Sequence, residues 1–242
     1  MTMKVIDVSR YQEDIDWKKV KADGVDGAII RGGYSNNDGS ITIDKKFYRN
    51  VEGAAAAGVP VGVYIYSYSK TVDSAVKAAK AALDLVEPYR LEFPLVWDYE
   101  DSYATKLSKA TNTAICKAVL QTWEKAGYYA MLYSYKNFVE NYLNMAELAA
   151  FDFWLAHYTK KTNYKGPYGM WQYSHTGRVS GISGDVDLNE CYKDYPAIIK
   201  KAGLNKLATI TYKSYKVGPM TAAAAEKIRT TAAELGVACV EV

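Results

Sequence analysis

Two acidic residues, Asp98 and Glu100, follow a short apolar stretch near the middle of the chain. If residues 95–100 form a strand, the two side chains point to one face and their Cα atoms lie roughly 6.5 Å apart. Buried carboxyl groups need hydrogen-bond partners, solvent or a chemical role. Glycoside hydrolysis uses such a pair in two protonation states, since one carboxyl group donates a proton to the leaving oxygen. The same spacing also occurs by chance on solvated strand faces and in turns.

The segments around this pair predict an α/β protein. Period-two apolar segments bounded by glycine or polar residues predict strands over residues 4–9, 27–33, 59–68, 95–100, 128–134, 153–158, 169–174 and 179–189. Helical periodicity predicts a helix that begins at Trp17 and further helices over residues 44–58, 71–86, 108–126 and 137–150. After residue 153 the strands follow one another without helices. This order favours an irregular β/α (TIM-like) barrel with fewer helices in its C-terminal part.

Side chains suited to binding and catalysis collect at one end of these predicted strands. In β/α barrels the functional site lies at the C-terminal strand ends. Chance would scatter such residues over both ends, so their convergence favours a site. The residues at these ends are Asp7, Arg31, Tyr66, Asp98, Glu100, Tyr133, Trp154, Gln172 and Asp187, with Tyr64 on the same strand face as Tyr66. Arg31 suits either a structural ion pair or a contact in the site.

The composition excludes several classes of protein. With 242 residues, 49% hydrophobic and 24% charged, the chain suits a globular protein with one large domain. A net charge of +3 does not predict a nucleic-acid partner. Three cysteines at long spacings and two histidines give no disulfide or metal pattern, so neither a metal nor a cofactor is predicted. The 22 tyrosines could bind sugars with ring and hydroxyl, but tyrosine also fills half-buried strand positions.

The last part of the chain has a different pattern. Residues 208–217 alternate like a strand, residues 221–235 form an Ala-rich helix, and residues 237–242 read as a last strand. This small β-α-β appendage is too short to be stable alone. We therefore predict a barrel domain over residues 1–203 and a small module over residues 207–242. Self-association or cell-wall targeting are its expected roles.

Six motifs in order give the chain a family resemblance. It resembles the family 25 glycoside hydrolases, the lysozymes found in bacteria, fungi and phage endolysins. The resemblance covers residues 4–189 and leaves out the tail beyond about residue 206. The motifs are VIDVS at 5–9, AIIRGGY at 28–34, GVY at 62–64, LVWDYE at 95–100, WQYS at 171–174 and GDVDLN at 184–189.

The resemblance implies cleavage of the β-1,4 bond between N-acetylmuramic acid and N-acetylglucosamine in peptidoglycan. By the family pattern Glu100 is the general acid, and Asp98 is a nucleophile or a group that orients the substrate's 2-acetamido group. Asp7 and Asp187 line the cleft and tune its charge. The other substrate-binding candidates are Arg31, Tyr64, Tyr66, Tyr133, Trp154 and Gln172. Many relatives have a His-aromatic pair where this chain has residues 64–68, a departure that bears on subsite contacts.

Several points stay open on the sequence alone. Neighbouring carboxylates are expected to raise the pKa of Glu100, as an acid catalyst requires. Retaining, inverting and substrate-assisted mechanisms all remain possible. One alternative is a catalytically silent wall-binding protein, against which the intact Asp98 and Glu100 argue. Another is a chitinase-like barrel, although residues 93–97 lack the acids of that family's strand motif.

The expected setting is bacterial lysis by an endolysin. The N-terminal residues lack the apolar core of a signal peptide, and no later run is long enough to span a bilayer. We therefore expect synthesis in the host cytoplasm, later release, and action on the cell wall. The expected partners are peptidoglycan glycan strands, with possible self-association through the tail and without nucleic acid or membrane.

Overall fold

A computed structural model describes residues 2–207, 218 and 220–234 of the chain. Two compact units divide the chain, Met1–Thr209 and Ile210–Val242. The first unit contains the predicted site residues.

The first unit is built around one sheet that closes on itself. Its strands lie in the order β1-β9-β8-β7-β6-β5-β4-β2-β3, and an additional pairing of β1 with β2 closes an eight-stranded barrel. The strand bounds are Met3–Val8 (β1), Gly27–Ser35 (β2), Ile41–Ile43 (β3), Val61–Ser67 (β4), Leu95–Asp98 (β5), Ala130–Tyr135 (β6), Asp152–Ala156 (β7), Met170–Gly177 (β8) and Val186–Cys191 (β9). The α/β barrel predicted from the sequence is confirmed.

Helices connect the early strands, as the hydrophobic periodicity predicts. Their bounds in the first unit are Trp17–Ala22 (α1), Phe47–Ala56 (α2), Val72–Val86 (α3), Lys109–Lys125 (α4), Lys136–Tyr142 (α5) and Tyr195–Ala202 (α6). Local signals set their ends. Thr71 and Ser74 form a capping box at the start of α3, and Gly203 ends α6 with a left-handed φ of 66°.

Helix α6 was not predicted, and three further details differ from the prediction. The helix predicted over residues 137–150 ends at Tyr142, because Leu143 takes an extended conformation. The short β3 was missed; it pairs antiparallel with the end of β2. The last barrel strand begins at Val186 rather than in the region 179–185, and it runs antiparallel to both β8 and β1. Only residues 178–185, all of them described, connect β8 to β9, which is too few for a crossover connection, so β9 returns in the opposite direction from β8.

Two apolar clusters hold the first unit together. One contains Trp17, Phe47, Trp97, Trp123 and Phe138, contributed by both strands and helices. The other contains the strand residues Val5, Ile29, Val96, Met131 and Met170 together with Tyr195 and Ile199 of α6. Beyond α6, the buried Asn205 side chain accepts a hydrogen bond from Tyr129 N and donates to the carbonyls of Leu91 and Phe93. The chain after the last strand is thereby fixed to the barrel.

In the second unit the described element is one helix, α7, over Ala222–Glu234. Thr221 Oγ1 accepts from Ala224 N at 3.3 Å, which is an N-cap contact. The strands predicted over residues 208–217 and 237–242 lie outside the described residues, and the role of the tail stays a prediction. None of the helices in the described part of the chain has the length and apolarity that crossing a bilayer requires.

Candidate active site

Strand register aligns four of the predicted residues around one rim of the barrel. Tyr66 on β4 pairs with Asp98 on β5, Asp98 pairs with Tyr133 on β6, and Tyr133 pairs with Trp154 on β7. Residues in register on parallel strands present their side chains at the same level and to the same face. The rings of Tyr133 and Trp154 meet edge to face, with centroids 4.5 Å apart. Glu100 follows two residues after Asp98, just beyond the end of β5.

The reversed direction of β9 brings the last acid to the same rim. Asp187 is the second residue of β9, and it is the register partner of Asp7 near the end of β1. The sequence placed Asp187 at the C-terminal end of a strand, which is wrong. Because β9 is antiparallel, its N-terminal end meets the C-terminal ends of the other strands. Asp187 thus reaches the expected rim, but from the opposite strand direction.

A cleft of ≈ 250 Å³ opens at this rim. All ten residues predicted from the sequence line it: Asp7, Arg31, Tyr64, Tyr66, Asp98, Glu100, Tyr133, Trp154, Gln172 and Asp187. Four more lining residues were not predicted as site residues: Ser9, Tyr11, Gln12 and Tyr158. The barrel thus gathers acids, tyrosines, one tryptophan and one arginine from most of its strands into a single cleft.

Two amide side chains hold Asp7 in place. Gln172 Nε2 donates to Asp7 Oδ2 at 2.8 Å, and Asn189 Nδ2 donates to the same oxygen at 2.9 Å. The amide oxygens have donors of their own, since Trp154 Nε1 donates to Asn189 Oδ1 at 2.8 Å. Tyr133 OH donates to Gln172 Oε1, also at 2.8 Å. Both amides are therefore fixed in orientation, with their N–H groups turned towards the Asp7 carboxylate.

Sequence reasoning missed Asn189 as part of this arrangement. The residue lies in the GDVDLN motif, two positions after Asp187, and it is 1% exposed. A polar amide at an inward position of a strand was the available signal, because a buried amide needs partners for both its oxygen and its nitrogen. Asn189 supports Asp7 from beneath the cleft and is not among the residues that line it.

Burial and mutual repulsion raise the pKa values of all four acids. Burial first, and then the negative charges of Asp187 and Asp101, raise the pKa of Glu100 to about 7. Burial also raises the pKa of Asp187 to about 6. The pKa of Asp7 lies well above the usual range, mainly from burial and then from the charge of Asp187. The raised pKa of Glu100 was predicted from neighbouring carboxylates, but burial is the larger cause.

Asp98 is the least exposed of these acids. It is 5% exposed, and its Oδ1 atom is buried without a hydrogen-bond partner among the described residues. Burial raises its pKa well above the usual range; the charges of Glu100 and Asp7 add to this, and Arg31 opposes it. A buried, unpaired carboxyl oxygen beside a second acid in a cleft is an unfavourable arrangement that folding alone does not explain. It is the arrangement expected where a substrate supplies the missing partner.

Most of the first unit matches a known protein family. A model described as glycosyl hydrolases family 25 matches residues 6–182. The chain belongs to glycosyl hydrolases family 25. It is a glycoside hydrolase, as the two carboxyl groups and the motifs predicted.

Similar proteins come from several bacteria. YegX of Escherichia coli strain K12, an uncharacterized protein, is 30% identical over 194 residues, which are 78% of this chain and 69% of that protein. The autolytic lysozyme of Clostridium acetobutylicum is 26% identical over 189 residues, covering 78% of this chain and 55% of that protein. The modular autolysin LytC of Streptococcus pneumoniae superposes with a TM-score of 0.71 at 31% identity, over 79% of this chain and 47% of that one. This chain therefore spans about half the length of these two lytic relatives.

Arg31 of this family 25 chain has both of the roles that the sequence left open. Its Nε donates to Asp44 Oδ2 at 2.6 Å, and its guanidinium forms a salt bridge with that carboxylate, whose side chain is 1% exposed. Arg31 also lines the cleft and lies over the exposed ring of Tyr11, 5.1 Å from its centroid. Asp44 was not predicted to contribute. Its contact with Arg31 depends on the loop between β3 and α2, which the sequence pattern does not reveal.

Two exposed tyrosines line the cleft of the family 25 chain. Tyr11 is 68% exposed and follows Ser9, whose side chain forms a capping box with Gln12. Tyr158 is 52% exposed, and its hydroxyl donates to Gln172 Oε1 at 2.9 Å. Exposed aromatic rings beside an acid cluster suit a ligand that has apolar faces and hydroxyl edges.

Among the residues that the structure describes, no group of three or more His, Cys, Asp or Glu side chains could hold a metal ion. Within the same residues, Cys116 and Cys191 are buried free thiols. Burial raises the pKa of the Cys191 thiol to about 11, so it stays protonated at neutral pH.

Proposed function

We propose that this chain hydrolyses the β-1,4 bond between N-acetylmuramic acid and N-acetylglucosamine in peptidoglycan. Membership of family 25 and the lytic relatives support peptidoglycan hydrolysis as the reaction. The relative LytC has also been crystallised in complex with a synthetic peptidoglycan ligand. The observation that carries the proposal is the pair Asp98 and Glu100, buried together in a cleft with raised pKa values.

Glu100 is the general acid in this proposal. A carboxyl group with a pKa of about 7 is substantially protonated at neutral pH and can donate to a glycosidic oxygen. Donation leaves Glu100 ionised beside other acids, and a positive charge develops on the sugar ring in the oxocarbenium-like transition state. The surrounding carboxylates favour that positive charge.

Asp98 is the second carboxyl group of the reaction. Its unpaired Oδ1 can accept a hydrogen bond from the substrate's 2-acetamido nitrogen or approach the anomeric carbon. The first role would make the acetamido group the nucleophile, and the second would make Asp98 the nucleophile. Both routes retain the anomeric configuration, whereas an inverting route would require a water on the opposite face.

The remaining side chains of the cleft bind and orient the sugar. Tyr66, Tyr133 and Trp154 offer rings, while Arg31, the remaining amide hydrogen of Gln172 and the hydroxyls of Tyr64 and Tyr66 offer hydrogen-bond donors. Asp7, held by two amides, and Asp187 keep the floor of the cleft acidic. In this proposal the charge of Asp187 helps to keep the pKa of Glu100 raised, and the acids of the cleft stabilise the developing positive charge.

The decisive experiment identifies the new chain end. Purified protein is incubated with peptidoglycan, and the digest is reduced with borohydride and analysed by mass spectrometry. A muramidase leaves N-acetylmuramic acid at the new reducing end. A reducing N-acetylglucosamine, or turnover of chitin oligomers at a rate equal to that on peptidoglycan, would reject the proposed bond.

The second part of the proposal concerns a role in bacterial lysis. We propose that the chain acts as an endolysin that reaches the wall after a separate membrane lesion. Cytoplasmic expression in a bacterial host, with and without an independent pore-forming protein, tests this. Lysis that needs both the pore and an intact Glu100 is expected, and lysis that is equal with Glu100→Gln would reject the role.

A further inference from the structure

A second cleft, of ≈ 430 Å³, borders the acid cleft. We call it the lateral cleft. Tyr158 lines both clefts, so one exposed ring forms the wall between them. The residues that line the lateral cleft are Tyr135, Lys136, Asn137, Glu140, Ala156, His157 and Tyr158.

Strand register makes the lateral cleft an outward continuation of the acid cleft. Tyr135 and Ala156 are register partners on β6 and β7, two residues after the partners Tyr133 and Trp154. Residues two apart on a strand share a face, so the same face that carries the acid cleft continues into the lateral cleft. Ala156 has a small side chain, so open space remains opposite Tyr135. At the preceding level of the barrel, the rings of Tyr133 and Trp154 fill the corresponding space.

The lateral cleft lies close to the proposed general acid. Besides burial, the charge of Glu100 raises the pKa of Tyr135, and it also acts on Tyr158. A substituent on a sugar whose bond is cleaved at Glu100 would thus have a short path into the lateral cleft, past the ring of Tyr158.

The lining offers both signs of charge above an apolar floor. Lys136 Nζ and Glu140 Oε2 form an ion pair of 2.7 Å, with side chains 21% and 42% exposed, so a ligand can reach both. An exposed pair of this kind contributes little to stability and can exchange partners at low cost. An ammonium and a carboxylate beside tyrosine rings suit a short peptide that carries both carboxylates and an amine.

We propose that the lateral cleft binds the peptide arm attached to the muramoyl sugar, with Lys136 pairing a peptide carboxylate. This inference rests on the proposed muramidase function, since only the muramoyl sugar of peptidoglycan carries such an arm. The cleft makes the chain selective for glycan with intact peptide over bare glycan.

The test compares two soluble substrates that differ only in the peptide. Uncross-linked glycan chains are used with their peptide arms, or after removal of the arms by an amidase. Lys136→Ala removes the cation, and Asn137→Trp fills the cleft from an exposed helix position. Lys117→Ala is the matched control, because Lys117 is also an ion-paired surface lysine but lies on α4, outside both clefts.

For Lys136→Ala and Asn137→Trp we expect kcat/KM on the peptide-bearing chains to fall about tenfold, the effect of one lost charge-assisted contact. On stripped chains each variant should keep wild-type kcat/KM, and Lys117→Ala should match the wild type on both. Equal losses on both substrates, or no loss on either, would overturn the lateral cleft as a peptide site. Wild-type protein that cleaves neither substrate would instead reject the proposed muramidase function.

Discussion

Asp7 and Asp187 face each other as register partners across the antiparallel pair of β1 and β9. The negative charge of one carboxylate disfavours ionisation of the other. After burial, the charge of Asp187 is the second cause of the raised pKa of Asp7. Asp187 likewise acts on Glu100. The ionisation of the cleft is therefore coupled among acids from three strand ends. Substitutions at any of them should change the pKa of Glu100.

Replacing the proposed general acid tests the mechanism directly. Glu100→Gln keeps the shape of the side chain but cannot donate a proton, so kcat should fall by about 10²–10⁴-fold. Release of reducing ends from peptidoglycan measures this. Glu52→Gln is the control, because Glu52 is an exposed glutamate on α2 that does not line the cleft. Glu100→Gln with activity within tenfold of the wild type would contradict the assigned role.

The pH dependence of activity follows from the same group. Because the pKa of Glu100 is about 7, the protonated acid is lost as the pH rises through that value, and kcat/KM should fall there. Asp101→Asn removes one of the charges that raise this pKa, so its descending limb should move to lower pH. If kcat/KM of Asp101→Asn falls at the same pH as that of the wild type, the fall in activity does not report the titration of Glu100.

Stability should also depend on pH, with a sign fixed by the raised pKa values. In the folded state Glu100 titrates at about 7 and Asp187 at about 6, against ordinary values of 4.5 and 3.8. At pH values between the ordinary and the raised pKa of each acid, the unfolded chain has released a proton that the folded chain keeps. The free energy of unfolding therefore falls as the pH rises through this range. Urea unfolding at about pH 5 and about pH 8 measures the difference. Glu100→Gln should reduce this difference, and an equal difference in both proteins would contradict the buried acid.

Removing the amide beneath Asp7 should affect both folding and chemistry. Asn189→Ala leaves the Trp154 indole without its acceptor and takes one donor from Asp7, at a cost of about 1–3 kcal/mol in unfolding free energy. With one donor fewer, the pKa of Asp7 should rise further, and the pH profile of kcat/KM should shift. Asn141→Ala, at an exposed amide on α5, is the control for both measurements. A loss of stability without a change in the pH profile would limit Asn189 to a structural role.

The ion pair of Arg31 and Asp44 should be costly to break from one side. Arg31→Met leaves the buried Asp44 carboxylate without its cation, and we expect a loss of about 3–5 kcal/mol in unfolding free energy. The double variant Arg31→Met with Asp44→Asn should recover part of that loss, since the uncompensated charge is gone. A double-mutant cycle by urea unfolding measures the coupling between the two residues. Additive losses would contradict the pairing.

A truncation tests the predicted tail module. Ending the chain after residue 209 keeps the whole first unit, including the Asn205 contacts. We expect unchanged Tm and unchanged activity on soluble glycan, together with a change in the number of subunits per particle or in co-sedimentation with cell walls. If the number of subunits and the wall binding both equal those of the full chain, the tail has neither of the predicted roles.

The sequence alone identified ten of the fourteen residues that line the acid cleft. Period-two patterns place Tyr64 with Tyr66 and Asp98 with Glu100 on shared faces, and the order of strands and helices places those faces at one rim. These are local relationships, because the direction of a side chain in a strand depends only on its position within that strand. All ten predicted residues line the cleft, although Asp187 reaches it from the opposite strand direction and Glu100 lies just beyond the end of β5.

Only the tertiary structure determined which side chains contact one another. The reversed direction of β9, the hydrogen bonds of Asn189 to Asp7 and Trp154, and the pairing of Arg31 with Asp44 join segments far apart along the chain. Such contacts depend on how strands pair and how loops pack, and no local periodicity encodes them. Burial, the largest cause of the raised pKa of Glu100, is likewise a property of the closed barrel and not of the motif that carries the residue.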